Sequence, residues 1–269
     1  MTVAGMVGTA GERPLWRTVA VPREHGGWGL TLEPVLLGLL VAPSLAGVAV
    51  GAGAFLAFLV RTPLELAAVD AFRGRRLDRS RLALRISIAM SIGLAATVAV
   101  AVRESGWSWL APMALAAPLV GVELWFDVRS RGRRLIPELC GAVGIASVAA
   151  MIALAAGRSS ALALGVWLVL VARSVGAIPF VRVQIARARR GAAGTVTSDA
   201  AQAIAVAIGA AAVVVDRRMA GALAGLLVLA GLQLGWVRRP PVAAKVLGLR
   251  QMMLGVGVVT VTAVWVLAS

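Results

Sequence analysis

The 269 residues are 60% hydrophobic and include 30 glycines, and only 14% are Asp, Glu, Lys or Arg, against about 25% in ordinary soluble domains. No soluble core of this size hides that much apolar surface, which excludes a water-soluble enzyme, a disordered tail and a secreted disulfide scaffold; the single Cys140 cannot form an intrachain bridge. A net charge of +15 would suggest nucleic acid in a soluble chain, but here the arginines cluster at the ends of apolar runs, where membrane orientation and anionic lipids account for them without nucleic acid.

The first residues lack an unbroken apolar stretch followed by a small-residue cleavage site, so no cleaved signal peptide is expected. Residues 1–21 read as a disordered cytoplasmic tail, and residues 22–269 as one transmembrane helical domain. A span needs about 20 apolar residues. Candidates fall near Trp28–Ala42, Leu45–Val60, Leu82–Val102, Trp107–Phe126, Leu135–Ala156, Ala161–Val181, Ala200–Val215, Met219–Val237 and Gln251–Ala268. The first pair is tight, with Pro43-Ser44 as its turn. The expected fold is therefore all-α, a polytopic membrane bundle of about nine helices with a cytoplasmic N-terminus and an outer C-terminus.

Charge supports that count. In this arrangement 22 of the 27 basic residues fall on the cytoplasmic side and four outside, with Arg173 inside span six. Fusing the first two spans would destroy the bias. Trp28, Trp125 and Trp236 fall at cytoplasmic boundaries and Trp107, Trp109 and Trp265 at outer ones, as an interfacial belt requires; Trp167 is the mid-span exception. Gly47/Gly51, Gly221/Gly225 and Gly231/Gly235 have the spacing that lets helix backbones approach, and are expected to pack.

The connections after spans two (Arg61 to Arg81) and six (Arg182 to Asp199) read as long and polar, which directs attention to the cytoplasmic face. Before span one, Glu24 and His25, the only histidine, could move a proton or orient a phosphate; the alternative is an interfacial turn anchored by His25 and Trp28. Glu33 lies inside span one, where an ionisable group costs about 2.5–3.5 kcal/mol and calls for a partner or a wet cavity. Arg61 and Glu65 stand one turn apart, with Asp70 before an arginine run: a carboxylate-plus-arginine site, or an intrahelical pair followed by headgroup-binding arginines. Glu123, Asp127 and Arg131 share a face and fit an ion-pair ladder better than a cation site. Asp199 reads as a helix N-cap. Arg173, deep in span six and continued by Arg182 and Gln184, demands a carboxylate or an anionic ligand; Glu33, Glu65 and Asp70 are its candidate partners. No nucleotide-binding, zinc-protease or catalytic-triad motif is present, and no metal ligands are assigned.

Two stretches resemble a known family. Pro22-Arg23-Glu24-His25-Gly26-Gly27-Trp28-Gly29 is similar to the opening of the YwiC-like bacterial membrane proteins, and Arg173 to Arg182 is similar to their sixth-span segment. The resemblance implies a multi-pass protein of the bacterial plasma membrane and brings no activity. A fainter architectural similarity to UbiA-type prenyltransferases lies in nine helices with long connections after spans two and six. That likeness would imply Mg²⁺ and an isoprenoid diphosphate, but the Asp-rich motifs are absent, which leaves the cofactor unknown.

These readings converge on a cytoplasm-facing polar pocket for an anionic, lipid-like or isoprenoid-phosphate ligand. Trp28, Glu33, Arg61, Glu65, Arg173, Arg182 and Gln184 would bind it. If chemistry follows, it is prenyl or lipid-phosphate transfer with Glu24, His25 or Asp70 as base. The rivals are a carrier with Glu33 and Arg173 lining its path, and a non-catalytic scaffold whose arginines bind headgroups of the surrounding bilayer. Substrate and oligomeric state are not legible.

Overall fold

The computed structural model describes residues 19, 25–74, 77–129, 134–191 and 193–269. Nine helices account for most of them: α1 (His25–Val41), α2 (Leu45–Phe72), α3 (Asp78–Ser105), α4 (Ala111–Val128), α5 (Leu135–Ala155), α6 (Ser160–Arg190), α7 (Val196–Val215), α8 (Ala220–Trp236) and α9 (Ala244–Ala268). No strand occurs among the described residues. Eight of the helical segments are long and apolar enough to cross a membrane, and α1 adds a shorter apolar stretch, Trp28–Val41. The chain is a multi-pass membrane protein built as a helix bundle.

Helix ends depart from the sequence reading. The expected polar connection Arg61 to Arg81 is mostly helix, because α2 runs on to Phe72 and α3 already begins at Asp78. Leu, Ala and Glu fill much of that extension and favour helix, and Arg61 bonds Glu65 one turn on, Nε to Oε1 at 3.0 Å. Likewise α6 continues to Arg190, where Gly191 at φ 76° ends it. Arg187, Arg189 and Arg190 in that last turn complement the helix dipole. The turn between α1 and α2 lies at Pro43-Ser44 as expected, with Ser44 Oγ accepting from Gly47 N at 2.9 Å. Asp199 is not the N-cap of α7: the helix starts earlier, after Thr195, and Asp199 sits in its first turn. There it accepts from Thr195 Oγ1 and pairs with Arg238 at 3.0 Å.

Helices α5 and α6 are the most buried, and α6 packs against α1, α5, α7, α8 and α9. Helix α3 lies at the periphery against α2, and α4 against α5. Outward apolar residues such as Ile88 and Ile92 suit a lipid-facing surface. Close approach is made at glycines: a Cβ on Gly47 would meet Ile152, one on Gly51 would meet Val35, and one on Gly221 would run into the Trp265 ring. Gly231 and Gly235 have nothing within 4 Å, so that pair does not pack as expected. Trp109 also departs from the belt: it is buried in an apolar cluster, whereas Trp28, Trp107, Trp125 and Trp265 are exposed. Trp167, the mid-span exception, donates Nε1 to Val143 O at 3.0 Å.

Polar links gather helix ends at one end of the bundle. Arg182 meets Glu138 at 2.8 Å, Arg238 meets Asp199, and Arg187 donates to Arg239 O. At the α7–α8 connection, hydrogen bonding from Arg218 to Asp216 holds that carboxyl below the usual carboxylate range.

Candidate functional site

Arg173 lies in the middle of α6 and is 5% exposed. Of the three acids the sequence offers it, the structure supplies Glu33 from α1, itself 8% exposed, with Nη2 3.5 Å from Oε1. The same Nη2 donates to the main-chain oxygen of Gln251 on α9 at 2.6 Å, and Nε has no partner among the described residues. Gly255, one turn beyond Gln251, provides the space: a Cβ there would overlap the Glu33 carboxylate. A buried pair of this kind is held by its geometry, since each ion alone would be left desolvated.

From Gln251 the polar groups continue through the core. Gln202 on α7 donates Nε2 to Gly176 O and to Gln233 Oε1, both at 2.9 Å. Gln233 on α8 donates Nε2 to Gln251 Oε1 at 3.3 Å. The start of this relay is set by α6. There Gly176 has no side chain to keep Gln202 away. Because a carbonyl can only accept, Gly176 fixes the direction of all three amides. The relay therefore ends on Gln251 Nε2, a buried donor with no partner among the described residues.

Gln251 lines a cavity of about 340 Å³ between α6, α8 and α9. Phe180, Gln184, Trp236, Leu247, Arg239 and Arg250 also contribute to its wall. Gln184 is 4% exposed and donates Nε2 to Trp236 O at 2.8 Å, and its Oε1 has no partner among the described residues. Arg250 lies over the Trp236 ring, 5.4 Å from its centroid. Two cations thus border one cavity, and Gln251 in its wall carries the main-chain oxygen that Arg173 holds.

The remaining sequence candidates lie elsewhere. Asp70 is 2% exposed at the α2–α3 turn, bonded by Ser80 Oγ at 2.6 Å and paired with Arg79 at 3.3 Å. Arg61 pairs with Glu65 and with Glu123 of α4, the latter at 3.7 Å. The expected ladder from Glu123 is not described beyond that residue, since the Asp127 side chain and Arg131 fall outside the described residues. Trp28 stacks edge-on against Phe58, with centroids 5.3 Å apart. His25 opens α1, but its side chain, like the whole of Glu24, lies outside the described residues. Arg61, Glu65 and Asp70 thus sit in the α2–α3–α4 part of the bundle, and Glu33, Arg173 and Gln184 around α6. Among the described residues, no three His, Cys, Asp or Glu side chains gather as a metal-binding group.

Sequence reasoning missed Gln202, Gln233, Gln251, Arg239 and Arg250. A signal for the glutamines existed: a buried amide in an apolar span is costly without partners, which is the reasoning that singled out Arg173.

A family model described as YwiC-like protein matches residues 21–156, just over half of the chain, from before α1 through α5. No curated protein and no solved structure matches. The two long connections that suggested UbiA-type prenyltransferases are largely helix.

Proposed function

The chain belongs to the YwiC-like family, and from that premise we propose that it binds an anionic, lipid-like ligand in the cavity between α6, α8 and α9. One observation carries the reading: Arg239 and Arg250 border one cavity together with the apolar side chains of Phe180 and Leu247. The arginines select an anion, and the apolar wall from Phe180 and Leu247 suits the chain of an amphiphile. The positive-inside bias of the sequence supports a cytoplasmic position for this end of the bundle. That orientation, with the bacterial plasma membrane as location, belongs to the same proposal. Arg173 supports the site from behind by holding the Gln251 main chain.

A thermal-unfolding titration in neutral detergent tests this. A ligand at a hundred times its Kd stabilises a protein by about 2.7 kcal/mol. Phosphatidic acid is expected to raise Tm well above the effect of phosphatidylcholine, with most of the difference lost in Arg250→Gln. Equal shifts from both lipids would exclude an anion-selective site.

A further inference from the structure

We propose that the end of the α2–α3 hairpin docks on the anionic head groups of the membrane surface, through an apolar strip set among arginines. Asp70 marks the side of α2 that faces α3, since Ser80 and Arg79 bond it there. Leu64, Ala68 and Phe72 recur at four-residue intervals on the opposite side. All three are exposed, Leu64 at 52% and Phe72 at 95%. The charge around this strip is positive: the sequence has seven arginines and three acids from Arg61 to Arg85. Two of those acids are engaged, Glu65 by Arg61 and Asp70 by Arg79, whereas Arg73, Arg81 and Arg85 are exposed.

Helix length says what covers the strip. The 28 residues of α2 extend about 42 Å. The hydrocarbon of a bilayer takes about 30 Å, and the whole bilayer with its head groups about 40–45 Å. Measured from the Pro43-Ser44 turn at one surface, Phe72 therefore reaches the head-group layer of the other, the more so at the tilt of about 20° common for such helices. A cytosolic protein would meet this face only beyond that layer. At head-group depth Phe72 and Leu64 can bury among the upper acyl chains while the guanidinium groups bind phosphate oxygens. The hairpin also has reason to use such an anchor: α3 lies at the periphery and packs chiefly on α2. The surface shares no residue with the α6–α8–α9 cavity and stands apart from the ligand assigned to it.

The test uses the full chain in nanodiscs of phosphatidylcholine, with and without phosphatidylglycerol. Cys140 is the only cysteine, so Ala68→Cys in a Cys140→Ser background carries a single fluorophore on the strip and leaves Phe72 in place. Three arginines near an anionic surface favour the docked state by about a hundred-fold. Quenching of the label by acrylamide, a neutral aqueous quencher, should therefore fall several-fold when phosphatidylglycerol is present. Adding Arg73→Gln, Arg81→Gln and Arg85→Gln should abolish most of that difference. Hydrogen exchange over residues 64–85 of the unsubstituted protein in the same discs gives a second readout that needs no variant, and it should slow in the anionic discs. Equal protection of the label in both lipids would overturn the role of the arginines. Full quenching in both would place the strip in water and overturn the proposal, leaving the face to a protein partner.

Discussion

Arg173→Leu should destabilise the purified protein by about 3–5 kcal/mol, because it leaves Glu33 buried without its cation. Glu33 is 8% exposed, and its ionic partner among the described residues is Arg173. The substitution also takes a donor from the Gln251 main chain, so α9 loses a tie to α6 in the same step. The double variant Glu33→Leu/Arg173→Leu should recover much of the loss, since removing both charges leaves neither one stranded. Chemical or thermal unfolding in one detergent measures both. If the single and double variants lose the same amount, the pair is not the electrostatic unit that its geometry describes.

The second large effect is expected at Gly255. A Cβ at this position would occupy the space of the Glu33 carboxylate, so Gly255→Ala must push α1 from α9 or turn the carboxylate away from Arg173. Overpacking of this kind costs about 1–3 kcal/mol. Gly257, two residues on in the same helix, has nothing within 4 Å. There Gly→Ala should be neutral or should stabilise by up to about 1 kcal/mol through helix propensity alone. Parallel unfolding curves check the contrast. Equal effects at the two positions would mean that α9 does not approach Glu33 closely.

What the sequence disclosed, and what it hid, follows from the range of each interaction. Spans were legible because a bilayer imposes a local requirement, a run of apolar residues, that Leu135–Ala155 or Ala244–Ala268 meets within one helix. Arg173 was legible for the same reason, since a guanidinium in such a run needs an anion wherever it lies, and Glu33 was among the acids named for it. Helix ends were less legible. The segment after Val60 is polar enough to resemble a loop, yet its residues are good helix formers and Arg61 reinforces them through Glu65. The distribution of the polar candidates was also hidden. Asp70 and Gln184 both belong to long helices near charged turns, but only packing decides that one meets Arg79 and the other borders a cavity with Arg239 and Arg250. The relay Gln202–Gln233–Gln251 joins three helices, and its direction depends on the Gly176 carbonyl of a fourth. No spacing within a single helix encodes that.

Native mass spectrometry of the protein released from cell membranes tests ligand binding in the α6–α8–α9 cavity most directly. The wild type should retain an anionic amphiphile through detergent exchange, and the folded double variant Arg239→Gln/Arg250→Gln should lose it. Retention of the same species by both proteins, or recovery of neutral lipids alone from the wild type, would contradict a binding site between these helices.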